Sequence, residues 1–367
     1  MSRAARAVID LDALRHNLQR ARAVNPEARQ FPVIKADAYG HGLLPVAQAL
    51  AEFADGFAVA SIDEALCLRE VDIKQPILLL EGFFNADELE KIQQYQLDIV
   101  VHHEPQLDAL ETLASQQDIS KPINVWLKVD TGMHRLGFSI DETPAVWQRL
   151  TECSAASQPA KLMTHLACAD DFHNASTQQQ IELFNSVLPD VQTERSIANS
   201  AGILGWMSSH ADVDRPGIML YGVSPFLNET GADRRLKPVM TLRSELIAIK
   251  HGKAGNSVGY GATWTCPEDM PIGVVAMGYG DGYPRHASAG TPVLINGTEV
   301  PLVGRVSMDM ICVDLRGLPS VKVGDEVVLW GDGLPAEIIA RSAGTIAYEL
   351  FCGVTARVKH EYVNGAD

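Results

Sequence analysis

Cysteine is scarce in this sequence, which has six among 367 residues and no C-x-x-C pair. A disulfide framework or a structural zinc site needs closely spaced cysteines, so the composition argues against both. We expect free thiols in a reducing compartment, and we predict no metal site.

Basic residues are also in short supply, with 30 Lys and Arg against 46 Asp and Glu and a net charge of −16. An acidic surface repels nucleic-acid backbones and anionic lipid headgroups. No run of Lys and Arg in the sequence forms a local basic patch. We therefore expect neither nucleic acid nor a membrane as a partner.

Long apolar runs are missing as well. The longest candidates, residues 77–80 and 272–277, fall far short of the ~20 residues that a membrane span needs. A signal peptide needs an apolar stretch of about 7–15 residues, and Asp10 and Asp12 interrupt the N-terminal one. We therefore expect a cytoplasmic protein.

The chain does have the length and composition of a folded protein with two domains. Domains usually hold about 150 residues, and 46% hydrophobic with 21% charged residues is typical of folded chains. The sequence changes character near residue 236. We predict one domain at residues 1–235 and a second at residues 236–367.

The first predicted domain alternates strand-like and helix-like segments, an order that favours a parallel sheet. Many of the strands are apolar on both faces, which indicates a (β/α)8 barrel of the TIM type. A doubly wound sheet usually carries a G-x-G-x-x-G turn after its first strand, and no such turn follows here. The predicted strands are residues 31–36, 56–60, 76–81, 98–102, 123–129, 160–165, 195–198 and 212–214.

The second predicted domain is mainly β. Short β-rich runs at residues 241–249, 272–277, 300–303, 310–314 and 326–330 are separated by glycine and proline. Asn296-Gly297 is a hairpin signal. A single helix is predicted near residues 335–343.

Reactive side chains follow several of the predicted barrel strands, where barrel enzymes carry their chemistry. The sharpest candidate is Lys35, at the end of the first strand. A lysine there is commonly a surface residue whose amine reaches water. Lys35, however, precedes a crowded run of small residues, and a desolvated lysine amine is a suitable nucleophile. The others are Lys128, Asp130, His134, Arg135, His165, Asn199, Ser200 and Arg215.

Residues 33–42, with the sequence VIKADAYGHG, closely resemble the pyridoxal-phosphate lysine signature of bacterial alanine racemases. The similarity continues in family order through residues 128–137, 199–202, 215–222, 258–261, 278–285 and 304–310. It therefore spans both predicted domains. The family fold, a barrel followed by a β domain, agrees with the fold inferred from the strand and helix patterns.

The resemblance implies an isomerase that interconverts L-alanine and D-alanine with pyridoxal 5'-phosphate. Lys35 would hold the cofactor covalently and act as the base on one face of the substrate α-carbon. Tyr260 would serve the opposite face, although a tyrosine between Gly259 and Gly261 could also be a packed strand residue. The direction of use stays open: supply of D-alanine for peptidoglycan, or its degradation.

Further cofactor contacts are implied by the same resemblance. Arg215 would face the pyridine nitrogen, unless it forms a surface ion pair with Asp212 or Asp214, and His165 would lie beside it. Ser200 would contact the phosphate, serve as a helix N-cap, or do both. The full set of cofactor residues is Lys35, Tyr39, His165, Asn199, Ser200, Arg215, Gly217, Ile218 and Tyr348.

The substrate side is assigned in the same way. Arg135 would reach the cofactor's phenolic oxygen and the substrate carboxylate, and Met308 and Asp309 would shape a pocket with room for little beyond a methyl group. Lys128 matches a family position that is often carbamylated by carbon dioxide. Tyr279, together with Tyr348, would narrow the access channel.

The family forms head-to-tail homodimers, so the resemblance implies active sites shared between two chains. Alternatives are a non-catalytic pyridoxal-phosphate carrier, a racemase with broader small-amino-acid specificity, and a decarboxylase, which would carry an acid in place of Arg215. A metal hydrolase using His102, His103 and His165 is disfavoured, because adjacent strand residues point in opposite directions.

Overall fold

Short strands buried on both faces build the first sheet of the computed structural model, which describes residues 3–116 and 121–365. After β1 (Arg6–Asp10), every residue of the third, fourth and fifth strands is buried, as expected for parallel strands covered by helices. The eight strands of the first sheet are β2 (Arg29–Gln30), β3 (Phe57–Val59), β4 (Ile77–Leu79), β5 (Asp98–Val101), β6 (Val125–Lys128), β7 (Lys161–Met163), β8 (Arg195–Ser196) and β9 (Val213–Asp214).

The strands form a closed (β/α)8 barrel. β3 to β8 pair in parallel in sequence order, and β2 pairs with β9. A bridge between Val33 and Ala58 joins the first strand to the second. A hydrogen bond of 3.1 Å from the backbone N–H of Arg215 to the carbonyl of Ala198 joins the last two. The predicted fold class is therefore confirmed.

Helices lie between the strands and cover the barrel. The Asp10 carboxylate caps the first of them by accepting the N–H groups of Asp12 and Ala13, which fixes where that helix begins. The helices of this half are α1 (Leu11–Val24), α2 (Lys35–Gly40), α3 (Leu43–Leu50), α4 (Ile62–Glu70), α5 (Glu88–Gln94), α6 (Glu104–Gln116), α7 (Thr143–Glu152), α8 (Ser176–Ser186) and α9 (Ser200–Gly205). Of these, α2 is not a regular helix, because four of its residues have positive φ.

The second half is a mainly antiparallel sheet, as the sequence predicts. Asn296 and Gly297 both have positive φ and turn β14 into β15, which confirms the hairpin signal. Its elements are β10 (Met240–Gly252), β11 (Ser257–Val258), β12 (Trp264–Thr265), β13 (Met270–Val275), β14 (Pro292–Ile295), β15 (Thr298–Val303), β16 (Ile311–Asp314), β17 (Glu326–Trp330), α10 (Ala336–Ser342), α11 (Ala347–Cys352) and β18 (Lys359–Val363).

The first strand of the chain belongs to this second sheet. β1 lies between β10 and β18, with Ile9 opposite Met240 on one side and Tyr362 on the other. Ala7 and Ile9 are buried while their neighbours are half-buried, the alternation of a strand with one covered face. The prediction that the barrel domain includes the chain from residue 1 is corrected here, because pairing in a sheet is not set by sequence order.

None of the helices within residues 3–116 and 121–365 is long and apolar enough to cross a membrane.

Candidate active site

Four basic side chains gather where the barrel strands end. Lys128 ends β6, and burial together with the charges of Arg215, Arg135 and Lys35 lowers its pKa to about 7. Burial and the same charges hold the pKa of His165 well below its ordinary value. The structure therefore brings Lys35, Lys128, Arg135, His165 and Arg215 together, at the edge that barrel enzymes use for chemistry.

Arg215 is only 4% exposed, which excludes the surface ion pair considered from the sequence. Its two terminal nitrogens donate to the hydroxyl of Ser196 and to the carbonyl of Thr164, the latter at 2.6 Å. Burial lowers its pKa to about 10, opposed by the nearby Asp214 carboxylate. The guanidinium therefore stays protonated at neutral pH. Its hydrogen bonds within residues 3–116 and 121–365 come from the two terminal nitrogens and not from Nε.

The chain after Lys35 makes an unusual turn. Ala36, Asp37, Ala38 and Tyr39 all have φ between 52° and 54° and ψ between 42° and 54°, the left-handed helical region. Each such residue other than glycine costs roughly 1–2 kcal/mol. The prediction of a regular strand at residues 31–36 is wrong. Strand β2 ends at Gln30, only a single bridge follows at Val33, and the left-handed turn begins at Ala36.

The left-handed turn brings the Tyr39 hydroxyl to the segment after the last barrel strand. A Cβ added to Gly217 would lie 2.9 Å from that hydroxyl and 3.8 Å from the hydroxyl of Ser200. Ser200 accepts the N–H of Gly217 at 2.9 Å, and a 3₁₀ turn begins at Ile218. Hydroxyl and N–H groups from three separate segments therefore converge, and we call Tyr39, Ser200, Gly217 and Ile218 the donor cradle.

Asn199 is the N-cap of α9. Its side-chain oxygen accepts the N–H of Gly202 at 3.0 Å, and its amide donates to the carbonyl of Leu166 at 3.3 Å. The alternative interpretation of Ser200 as the N-cap is therefore wrong. The Ser200 hydroxyl instead faces Gly217, and Asn199 determines where helix α9 starts.

Helix α11 of the second half closes over the donor cradle. The ring of Tyr348 lies 5.6 Å from that of Tyr39 between centroids. Burial raises the pKa of the Cys352 thiol, and the Lys35 charge opposes the rise, so this cysteine lies near Lys35. No local sequence pattern marks this proximity, because Cys352 and Lys35 lie in different domains.

Tyr260 is not part of this cluster within one chain. It lies in a 3₁₀ turn, Tyr260–Ala262, on the surface of the second domain and is 69% exposed. The alternative interpretation as a packed strand residue is therefore wrong. Met308 is 52% exposed, and its carbonyl accepts the N–H of Gly280, next to the exposed Tyr279.

The segment holding Met308 and Asp309 is fixed by an ion network that the sequence did not reveal. Arg357 pairs with the Asp309 carboxylate at 2.6 Å, and Arg3 donates to the Asp309 carbonyl at 3.0 Å. Both arginines also meet the carboxylate of Asp281, which is fully buried. Arg3 and Asp281 are 278 positions apart along the chain, so no local sequence spacing could have indicated the network.

Arg135 follows a tight loop after β6. The Asp130 carboxylate accepts the N–H groups of Gly132, Met133 and His134 and so fixes the loop's shape. Lys128, Arg135 and His165 line one small pocket at this position. The loop thus points a guanidinium at the same space as the buried lysine.

The side chains and N–H groups of the site match the chemical groups of the cofactor that the sequence resemblance implies. The donor cradle is built from hydroxyl and backbone N–H groups and contains no carboxylate side chain, which suits a phosphate group. The Lys35 amine and the Arg215 Nε–H lie in the same strand-end cluster and suit an aldehyde and a ring nitrogen. The residues present therefore fit pyridoxal phosphate.

A metal centre has no such support. Within the part of the chain that the structure describes, no group of three or more His, Cys, Asp and Glu side chains is arranged to hold a metal ion. The expectation that the His102 and His103 side chains diverge is wrong, since their rings stack with centroids 4.6 Å apart. The reason is that β5 ends at Val101, so neither histidine follows strand alternation.

Two family models cover most of the chain. The model described as "Alanine racemase, N-terminal domain" matches residues 9–225. The model described as "Alanine racemase, C-terminal domain" matches residues 239–362.

Full-length relatives and solved structures agree with these matches. The chain is 51% identical to the alanine racemase of Halorhodospira halophila, covering 100% of this chain and 99% of the relative. It is 51% identical to the biosynthetic alanine racemase of Escherichia coli O6:H1, over 98% of this chain and 99% of that one. The crystal structure of the biosynthetic alanine racemase from Pseudomonas aeruginosa superposes with a TM-score of 0.95 at 46% identity, covering 99% of this chain and 100% of the other.

Proposed function

The chain belongs to the alanine racemase family and interconverts L-alanine and D-alanine, and we propose that Lys35 and Tyr260 are its two proton-transfer groups, with pyridoxal phosphate as cofactor. The observation that carries this proposal is the position of Lys35. Lys35 lies in the strand-end cluster with Lys128, Arg135 and Arg215. It comes directly before the left-handed turn that brings Tyr39 to the donor cradle.

Pyridoxal phosphate, when bound, supplies an electron-withdrawing ring that acidifies the α-C–H bond of an attached amino acid. The donor cradle would bind its phosphate, with Tyr348 adding a hydroxyl and Asn199 fixing the start of α9. Arg215 would face the ring nitrogen with Nε–H, and His165 would pack beside it. Since the Arg215 guanidinium keeps its proton, it would give that nitrogen a hydrogen bond rather than a positive charge.

Racemisation needs proton exchange on both faces of one carbon. We assign the first face to the Nζ atom of Lys35 and the second to the Oη atom of Tyr260. Arg135 would hold the substrate carboxylate through a charge-assisted hydrogen bond. Met308 and Asp309 would limit the space beside the substrate side chain, which favours alanine over larger amino acids.

The direct test of function is conversion of L-alanine. The purified protein, supplied with pyridoxal phosphate, is incubated with L-alanine, and chiral chromatography follows D-alanine. A final mixture of the two enantiomers reached from either side supports racemisation. If D-alanine does not form while a keto acid does, the chain is a transaminase and the proposed proton-transfer roles are wrong.

We expect Tyr39→Phe to lower the affinity for pyridoxal phosphate by about ten- to hundredfold, because one hydrogen bond to a charged phosphate is lost. Pyridoxal, which lacks the phosphate, should bind nearly as before. Titration calorimetry with both ligands checks the difference. Tyr95→Phe, a change in a half-buried tyrosine at the end of α5, is the control and should alter neither affinity. An equal loss for both ligands would contradict a phosphate contact.

We also propose that Lys128 is carbamylated. With a pKa near 7, a large share of its amine is neutral at neutral pH and able to attack carbon dioxide, forming an N–C bond and releasing one proton. The anionic product would pair with the neighbouring Arg135 in place of two repelling cations.

Incubation with isotope-labelled carbon dioxide is expected to give a carbamate signal that disappears in Lys128→Met. Because protonation of the amine blocks the reaction, the signal should fade as the pH falls below about 7. Nuclear magnetic resonance of the labelled carbon measures it. A signal of equal size in the Lys128→Met variant would assign the carbamate to another amine.

A shared site in a homodimer completes the proposal. Tyr260 and Met308 are exposed on the second domain, whereas Lys35 and the donor cradle lie in the barrel. A two-fold arrangement can bring the two sets together across an interface and gives two equivalent sites.

A further inference from the structure

The left-handed turn is held by side chains from several elements. Glu64 accepts the N–H of Ala36 at 2.7 Å, and the Asp37 carboxylate accepts the N–H of Leu43 at 2.7 Å. His360, in β18 of the second domain, lies 2.9 Å from the carbonyl of Gly40. Backbone hydrogen bonds from the Ala38 N–H to the Ile34 carbonyl and from the His41 N–H to the Ala38 carbonyl add to these contacts. One further group, a side chain, binds the carbonyls of Ala38 and Tyr39.

That group is His41, whose side chain is fully buried behind the turn. Its Nδ1 lies 3.1 Å from the carbonyl oxygen of Ala38 and 3.0 Å from that of Tyr39. Carbonyl oxygens only accept hydrogen bonds, so Nδ1 carries a proton and donates to both. Burial lowers the pKa of His41 to about 3, so the ring stays neutral and this tautomer is kept over the working range of pH.

The ring of His41 is also packed. Its centroid lies 4.5 Å from the centroid of the Tyr221 ring and 5.0 Å from that of the Phe351 ring. The His41 and Phe351 rings meet edge to face. Tyr221 in turn stacks on Tyr39 at 4.8 Å. Packing and hydrogen bonding therefore act on the same turn, and a test has to separate them.

We propose that His41 is a positioning residue, which donates from Nδ1 to the carbonyls of Ala38 and Tyr39 and thereby holds the Tyr39 hydroxyl at the donor cradle. The proposal rests on the proposed phosphate-binding role of that cradle. His41 contacts neither the cradle's donors nor the reacting atoms in this assignment. It acts through the backbone of the turn, whose left-handed residues have no glycine to relax the strain.

Two substitutions separate the hydrogen bond from the packing. His41→Phe keeps an aromatic ring between Tyr221 and Phe351 and removes the donor. His41→Asn loses the ring but keeps an amide N–H near the position of Nδ1. The readout is the ratio of the affinities for pyridoxal phosphate and pyridoxal, measured by calorimetry, with thermal unfolding as the check on folding.

If His41 acts through its donor, His41→Phe lowers this ratio by about ten- to hundredfold, as loss of the Tyr39 contact would, while His41→Asn keeps it close to the unsubstituted value. In a Tyr39→Phe background, His41→Phe should cause no further loss, because both changes remove one interaction. If His41→Phe does not fold, His41→Gln replaces it as the variant without the donor. The glutamine amide lies near the position of Nε2, so it does not replace the Nδ1–H.

A ratio preserved in His41→Phe, or lost equally in His41→Asn, would overturn the proposal and leave His41 a packing residue. An equal fall in affinity for both ligands would do the same. Failure of the unsubstituted chain to prefer the phosphorylated ligand would be a different result, since it would overturn the donor cradle itself and His41's role with it.

Discussion

Lys35→Ala is expected to abolish racemisation in both directions and to leave no cofactor covalently attached to the chain. The proposed roles of Lys35 are attachment and proton transfer, and alanine can perform neither. Loss of a positioned acid–base group alone costs about 10²–10⁴-fold in rate, and loss of the attachment adds to that. Borohydride treatment of the unsubstituted protein with pyridoxal phosphate should fix the label on Lys35, which peptide mass mapping would locate.

Two control variants sharpen this test. Lys35→Arg keeps the positive charge beside Lys128 and Arg215 but cannot form the covalent link, so it should be as inactive as Lys35→Ala. Lys322→Ala changes a lysine on the exposed surface of the second domain and should keep full activity. A borohydride label on a lysine other than Lys35, or activity retained in Lys35→Arg, would contradict the assignment.

The concentration of cations around Lys35 has a physical consequence for a chain with net charge −16. Lys35, Lys128, Arg135 and Arg215 share the strand-end cluster, and their mutual repulsion is part of what lowers the Lys128 pKa. A positive cleft in an acidic protein concentrates anions. Such a field suits both a phosphate group and the carboxylate of an amino acid.

The barrel was predictable because its strands are short apolar runs and its helices are amphipathic, so each element carries its own signal. Predicted runs at residues 56–60, 76–81 and 98–102 contain β3, β4 and β5. The order of alternation then selects a parallel sheet. Lys35, Lys128, His165 and Arg215 could be placed at one edge for the same reason, since all follow parallel strands.

Other features carry no local signal. β1 pairs with β10 and β18, and nothing in five residues indicates partners more than 200 positions away. The left-handed turn at residues 36–39 contains no glycine, so residue preference does not mark it. Its conformation depends on His41 and Glu64 and on His360 from the other domain. Both features are set by tertiary contacts rather than by propensity.

The exposure of Tyr260 leads to the second large effect. At 69% exposure, this side chain lacks the enclosed surroundings that a proton-transfer group needs, and in its own chain it does not join the cluster around Lys35. A homodimer would supply those surroundings by placing the partner's Tyr260 opposite Lys35. Each site then draws one essential group from each chain.

Mixing two inactive variants tests this arrangement. Lys35→Ala and Tyr260→Phe should each be severely impaired as homodimers, because every site lacks one group. In a mixed dimer both substitutions fall in one site, and the other site keeps Lys35 and Tyr260. Random reassortment makes half of the dimers mixed with one good site each, so activity should recover to about a quarter of the unsubstituted value.

The control is a double variant, Lys35→Ala with Tyr260→Phe in one chain, mixed with the unsubstituted protein. Its mixed dimers lack Lys35 in one site and Tyr260 in the other, so random reassortment should lower activity below the simple average of the two proteins. Differently tagged chains and sequential affinity purification would isolate the mixed dimers, and chiral chromatography would measure alanine conversion. If isolated dimers of Lys35→Ala with Tyr260→Phe stay as inactive as their parents, the two groups act within one chain and the shared site is wrong.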